Sequence, residues 1–238
     1  VCAQYHYHYG RLPGWLERAV AAGQRASALG RDLPEVLVAE AWILYTEGQY
    51  DDAVRRVRQA IERRPDCEGA YYLLGRALFA AGRFQEVADV AEVAVLNSGD
   101  DYNAYVPIIN ALGALGKEEM RGSFRQRRVM ALENHLVKVP EDARARVLLA
   151  SSYAEMKRPE EALREMDFAV GLRPNDGNVL YNCACINCKL GRKPEALAAL
   201  RKAWDAGWRD PVWTRRDPDL ALLRGDPEFE KLYPPAAE

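Results

Sequence analysis

Histidine, methionine and any excess of one charge are what this chain lacks. It has 3 histidines and 4 methionines in 238 residues, and 33 basic against 35 acidic side chains leave a formal charge of −2. So weak a net charge steers a protein neither toward nucleic acid nor toward an anionic membrane surface. No apolar run approaches the roughly eighteen residues needed to cross a bilayer, and no secretory signal opens the sequence. Neither a nucleic-acid partner nor membrane insertion of this segment is therefore expected. The usual marks of catalysis are missing as well: there is no glycine-rich phosphate loop, no H-E-x-x-H and no G-x-S-x-G, and His135 stands alone in its stretch. The expectation is a non-enzyme without a cofactor. Five cysteines form an odd set without the spread of a disulfide-stapled scaffold, which points to a reducing compartment, the cytoplasm.

What the chain does have is a period. Leu37, Ala41, Leu44, Gly48, Ala53 and Ala60 are matched thirty-four residues on by Tyr71, Gly75, Leu78, Gly82, Val87 and Ala94. Downstream, Leu149, Ala150, Tyr153, Ala162 and Ala169 are echoed at the same offset by Cys183, Ala184, Asn187, Ala196 and Ala203. Such a period marks a stack of supersecondary units, each burying its apolar face against its neighbours, and a scaffold for binding; the alternatives are a structural module that assembles with itself and a sensor of small ligands.

Each unit reads as two helices, because apolar residues recur at three and four in both halves and a glycine or polar pair interrupts them. Pro34 suits the first position of a leading helix, and Asp51 or Asp52 is expected to cap the second helix of that unit. In the next unit a single second helix is expected over 84–96. The units run 1–33 (truncated), 34–67, 68–101, 102–142, 143–176 and 177–210, and capping helices with a tail follow at 211–238. The unit 102–142 carries seven added residues, two helical turns, which predicts a long second helix over 117–138. Its arginines Arg121, Arg125, Arg127 and Arg128 are either solvated side chains on an exposed helix or a docking site for an acidic partner.

Both ends depart from the period. After Trp208 the repeat stops, and Asp210-Pro211, Asp217-Pro218 and Asp226-Pro227 each set a capping acid before a proline, so three short helices are expected. Their Val212, Trp213, Leu220, Leu222, Leu223, Phe229 and Leu232 are suited to cover the last unit. At the other end Cys2 to Tyr9 reads as the stump of a helix in a chain that begins without methionine, as expected of a piece of a longer protein. Apolar surface left there predicts pairing between copies through the N-terminal end.

Leu74-Gly75, Leu149-Ala150, Tyr153, the turn glycines Gly48, Gly82, Gly116 and Gly191, then Ala53, Ala162 and Ala196 and the closing Pro65, Pro140 and Pro174 resemble the tetratricopeptide repeat, over nearly the whole chain to about Asp210. The resemblance implies an all-α fold, a right-handed α-solenoid of about five helix-turn-helix repeats with C-terminal capping helices. It departs at Gly99, Val87 and the extended third repeat. Small residues at Ala41, Gly75, Ala150 and Ala184 are expected to let each leading helix approach its partner closely. The stretch from Trp204 through Asp217-Pro218-Asp219-Leu220 to Phe229 resembles the end of repeat regions attached to bacterial signalling proteins of the serine/threonine kinase or adenylate cyclase type.

In tetratricopeptide proteins the leading helices line a concave groove that holds extended peptides or proteins. Projecting the spacing gives the groove-facing set Trp42, Tyr45, Tyr72, Arg76, Phe79, Asn103, Asn110, Arg144, Ser151, Asn178, Tyr181, Asn182 and Cys185. Aromatics and arginine anchor interfaces, and asparagine holds peptide backbone by paired hydrogen bonds. The alternative for each aromatic is packing between adjacent repeats. Where chaperone-binding relatives carry a carboxylate clamp this chain has Val38, Trp42, Tyr72 and Pro107, so heat-shock chaperone binding is not implied. No metal is expected: Cys183 and Cys185 on one helix point about 160° apart, and His6 and His8 share a face only in an extended segment.

Overall fold

The computed structural model describes residues 13–30, 32–208 and 211–234. Among the described residues every regular element is helical, and the chain divides into two compact units, Val1–Ala131 and Leu132–Glu238. The expected stump at Cys2 to Tyr9, with its histidines and the pairing of copies placed on it, lies outside the described residues, as do Asp210 and the side chains of Val212 and Trp213.

The first unit holds α1 (Pro13–Gly30), α2 (Pro34–Thr46), α3 (Tyr50–Arg63), α4 (Ala70–Ala80), α5 (Phe84–Asp89), α6 (Ala91–Asn97), a 3-10 turn (Tyr102–Ala104) and α7 (Tyr105–Ala114). Helix α8 (Glu118–Lys138) runs across the division and, at 21 residues, is seven longer than the 14 of α3. The second unit continues with α9 (Ala143–Glu155), α10 (Pro159–Leu172), α11 (Gly177–Lys189) and α12 (Lys193–Asp205). It closes with α13 (Pro211–Arg216), a 3-10 segment (Pro218–Leu223) and α14 (Pro227–Leu232). The single helix expected over 84–96 is broken at Val90, in a stretch whose Val87, Val90, Val93 and Val95 crowd the preceding turn with β-branches.

Helix starts follow two chemistries. The leading helices α9 and α11 are capped by acids: the Asp142 carboxylate accepts from the Ala145 N–H at 3.0 Å, and that of Asp176 from Asn178 and Val179 at 2.9 and 3.1 Å. Asp217 and Asp226 cap the C-terminal segments in the same way. The second helices of the pairs have no side-chain cap, and Asp51 and Asp52 lie inside the first turn of α3, after the flanking residue Gln49. At α5, α10 and α12 an arginine flanks the start and pairs with a glutamate three residues on: Arg83 with Glu86 at 2.6 Å, Arg192 with Glu195 at 2.8 Å, and Arg158 with Glu161. The glutamate also sits at the positive end of the helix dipole.

Each helix pair closes through a residue with positive φ: Gly48, Gly82, Gly116 and Gly191 lie at 79°, 75°, 67° and 74°. Lys157 fills the equivalent place with φ 61°, at a cost of about 1–2 kcal/mol for an L-residue. The core holds many small side chains, with Ala41, Ala53, Ala60 and Ala77 in the first unit and Ala150, Ala162, Ala184 and Ala196 in the second all 0% exposed. Leucines and aromatics complete it: Leu73, Leu78 and Leu112 in the first unit, Leu200, Leu220 and Phe229 in the second.

Gly75 corrects one expectation. A Cβ built there meets Pro107 Cγ at 2.6 Å and Cβ at 2.9 Å, while Val87 of the partner helix is 4.0 Å away. The close approach is therefore to the next leading helix, α7, whose Pro107 sits in its first turn, where a proline is tolerated. Gly75→Ala gains about 1 kcal/mol of helix propensity but overpacks against a ring that cannot flex away, at about 1–3 kcal/mol. We expect a net loss of stability, read as a lower urea midpoint at unchanged m-value.

The pair at Arg83 extends between repeats, because Arg83 also reaches Asp51 at 3.0 Å and Arg58 reaches Glu86 at 2.7 Å. The hydrogen bonds from Arg83 and then Arg58 lower the Glu86 carboxyl to about 2. A depressed carboxylate contributes stability that is complete above its unfolded value of 4.5 and is lost as pH falls toward about 2. Glu86 is 38% exposed, so screening holds the effect below about 1 kcal/mol. Glu86→Gln is expected to flatten that part of the acid unfolding profile and to leave the neutral side sloped as before.

Candidate functional site

In the first unit the leading helices α2 and α4 bring aromatic rings together around one arginine. Trp42 packs on Tyr45 edge-on at 5.7 Å and on Tyr72 at 5.9 Å, and Tyr45 meets Tyr50 at 5.6 Å. Arg76 lies over the Tyr45 and Tyr72 rings at 5.5 and 5.7 Å. Its Nη2 donates to the Tyr45 hydroxyl at 3.0 Å, and its Nη1 donates to the Tyr72 hydroxyl at 3.3 Å. Trp42 and Tyr72 are 4% and 1% exposed and form the floor, whereas Tyr45, Arg76 and Phe79 are half-buried. Phe79 packs on Phe84 at 4.9 Å. The spacing thus brings four of the expected residues into one cluster. Of the two asparagines, Asn110 is exposed on α7, while Asn103 donates through its backbone N–H and its Nδ2 to Asp101, both at 2.9 Å, and so serves the 3-10 turn.

The leading helices of the second unit carry a different chemistry. Asn182 donates to the Asn178 backbone carbonyl and to its Oδ1 at 2.7 and 3.0 Å, and Arg144 is half-buried on α9. Ser151 accepts from Lys189 Nζ at 2.8 Å; the same ammonium donates to Glu155 at 2.8 Å and lies 2.9 Å from Asp219. An ammonium has three donors, and all three are taken. Burial alone pulls Lys189 down, but Glu155 and Asp219 outweigh it and leave it raised.

Tyr181 and Cys185 face the C-terminal segment. Tyr181 is 4% exposed, stacks on Trp208 at 4.2 Å and donates its hydroxyl to Asp217. Cys185 is 5% exposed and lies 4.0 Å from the same carboxylate. Burial raises Asp217 above the ordinary carboxylate range despite the hydrogen bond from Tyr181. Lys189, Asp217 and Asp219 escape a reading that ends the repeat at Trp208. One signal does mark them: Asp219 lies thirty-four residues after Cys185, and Lys189 thirty-four after Glu155.

The three clustered cysteines are buried thiols, and burial pushes Cys183 and Cys188 up to about 12. Metal binding and nucleophilic attack need the thiolate, which such surroundings disfavour. Among the described residues no three histidine, cysteine or acidic side chains are placed to hold a metal ion. None of the described helices is long and apolar enough to cross a membrane.

The basic run on α8 is tied into the first unit. Arg121 pairs with Glu118 at 3.0 Å, and Arg127 meets both oxygens of Glu92 at 2.9 Å while lying 4.8 Å over the Phe124 ring. Arg128 is 6% exposed. Arg121 and Arg127 are thus paired but partly exposed, and Arg128 is buried.

A model of the family described as Tetratricopeptide repeat matches residues 38–103 and 148–211, more than half of the chain. Among curated proteins the chain is similar to a chloroplastic protein of Arabidopsis thaliana, at 31% identity over 110 residues, 44% of this chain and 33% of that protein. The chain thus spans about a third of that relative's length. Among solved structures it is similar to a thermophilic TPR protein of Thermus thermophilus, with a TM-score of 0.59 and 20% identity over 76% of this chain and 95% of the other. It also matches MamA, with a TM-score of 0.46 and 17% identity over 70% and 93% of the two chains.

Removing the Tyr181 hydroxyl leaves the buried Asp217 carboxylate without its side-chain donor, at about 1–3 kcal/mol. Tyr181→Phe is expected to lower stability by that amount in urea unfolding, and Cys185→Ser to change it far less.

Proposed function

This chain belongs to the tetratricopeptide repeat family, and from that premise we propose that it is a non-catalytic scaffold which holds a peptide or protein partner against its leading helices. The observation that supports this most is the setting of Arg76. Its guanidinium is held by the hydroxyls of Tyr45 and Tyr72, so little side-chain freedom is lost when it engages a peptide carbonyl or carboxylate. Tyr45 and Phe79 give the same face partly exposed aromatic surface over the floor of Trp42 and Tyr72. These are the residue types that carry most of the energy in protein interfaces. Asn110 in the first unit, and Arg144, Ser151, Asn178 and Asn182 in the second, add polar groups on leading helices for recognition of peptide backbone.

The wider setting we propose is the regulatory or docking arm of a bacterial signalling protein. It is supported by the closing pattern from Trp204 through Asp217-Pro218-Asp219-Leu220 to Phe229, which resembles the ends of such repeat regions. Free cysteines at Cys67, Cys183, Cys185 and Cys188 fit a reducing cytoplasm.

Selection of a random short-peptide library on the unaltered chain tests the reading. Enriched peptides are expected to lose at least about tenfold in affinity on Arg76→Gln and to be unaffected by Arg201→Gln, a change on an exposed side chain of α12. A library that yields no binder, or binders indifferent to Arg76, overturns it.

A further inference from the structure

The C-terminal 3-10 segment is held on α11 as a short peptide is held by a receptor. It spans six residues, Pro218–Leu223, preceded by Asp217. Two carboxylates and two leucines make its contacts: Asp217 takes the Tyr181 hydroxyl, Asp219 takes Lys189, and Leu220 and Leu223 are both 0% exposed in a cluster with Leu180, Ala184 and Cys188. Since Asp219 continues the spacing set by Ser151 and Cys185, the segment stands where one more leading helix would stand.

The receiving surface has anchors of its own outside the segment. Lys189 is oriented by Ser151 and Glu155 of α9, both at 2.8 Å, and Tyr181 is stacked on Trp208. Donor and cation would keep their places if the segment left. The segment is less firmly built, because a 3-10 turn has poorer hydrogen-bond geometry than an α-helix and this one is closed at its start by its own Asp217, which accepts from the Asp219 N–H at 2.9 Å. Burial also works against Asp217, whose carboxyl is held above its ordinary range. A preorganised surface under a loosely built occupant is the arrangement from which an occupant can be exchanged.

We propose that the segment Asp217–Leu223 is an internal occupant of a peptide slot on α11, and that the slot accepts from a partner an acidic turn of the same chemistry, two aspartates one residue apart followed by leucines. The proposal rests on the scaffold reading of the repeats but uses residues of the second unit and none of the Arg76 cluster, so the two fail independently.

The test uses the full chain and a labelled peptide with the sequence of residues 214–224. In the Asp219→Asn/Leu220→Ala chain the internal occupant is weakened while Tyr181 and Lys189 are untouched. The peptide is expected to bind this chain at least about tenfold more tightly than the unaltered chain, and a peptide carrying the same two changes is expected not to bind. Adding Lys189→Met to the weakened chain should abolish binding with the cooperative unfolding transition retained. Equal affinity for weakened and unaltered chains, or equal binding of the altered peptide, overturns the proposal. Should the weakened chain fail to fold, amide exchange on the unaltered chain decides the matter. Excess peptide is then expected to speed exchange across residues 218–223 with no change in the first unit, and exchange unaffected by peptide refutes the slot.

Discussion

Close approach of helix backbones through small side chains is the constraint on which everything else in this molecule rests. Ala41 and Ala53 in the first pair, Ala150 and Ala162 in a later one and Ala184 and Ala196 in the last described pair are fully buried. Each methyl removes little apolar area, worth about 0.8 kcal/mol. It loses no rotamer freedom, however, and it lets the two backbones gain dispersion contacts along their whole length. A larger residue at any of these places would separate a pair and shift every layer beyond it, so one side-chain volume fixes the geometry of the stack. Gly75 does the same between successive leading helices, with Pro107 in the space that a Cβ would need.

Once the small residues have set the spacing, the outward faces of the leading helices are free to vary, and the two units use that freedom differently. In the first, aromatic rings surround a single guanidinium, which gives a surface of large apolar area with one fixed charge. In the second, Lys189 is shared among Ser151, Glu155 and Asp219, and a buried carboxylate is held by a tyrosine. Aromatic surface is exchanged between partners at low cost because it needs no matching charge. A buried charge is different: it needs compensating partners, and Lys189 keeps Ser151 and Glu155 of α9 whatever covers it. The first unit therefore presents aromatic surface around one cation, and the second a cation and a buried carboxylate already matched to partners.

This division explains what was legible in the sequence. The period survives because it is written in the small residues that every layer needs, and Gly48, Gly82 and Gly191 mark the turns because their φ demands it. The clustering of Trp42, Tyr45, Tyr72 and Arg76 follows from the period directly. What escaped are contacts whose partners have no fixed identity. At α5, α10 and α12 an arginine paired three residues on with a glutamate stands in place of an acid cap, and at α3 the flanking residue is Gln49, with Asp51 and Asp52 inside the first turn. Nor does the run from Arg121 to Arg128 announce its pairing: Glu92, the partner of Arg127, lies thirty-five residues earlier.

The C-terminal segment shows where a reading by residue type stops and a reading by register goes on. After Trp208 the alanines and turn glycines lapse, and with them the visible repeat, because a terminal layer has no further neighbour to admit closely. The thirty-four-residue interval persists for the polar positions, from Ser151 to Cys185 to Asp219. A layer that only had to shield apolar surface would be free to drop that register and cover α11 with leucine alone. Its aspartates are instead set against Tyr181 and Lys189, at the desolvation cost of burying a carboxylate. Covering does not need that expense; recognition of a defined partner does.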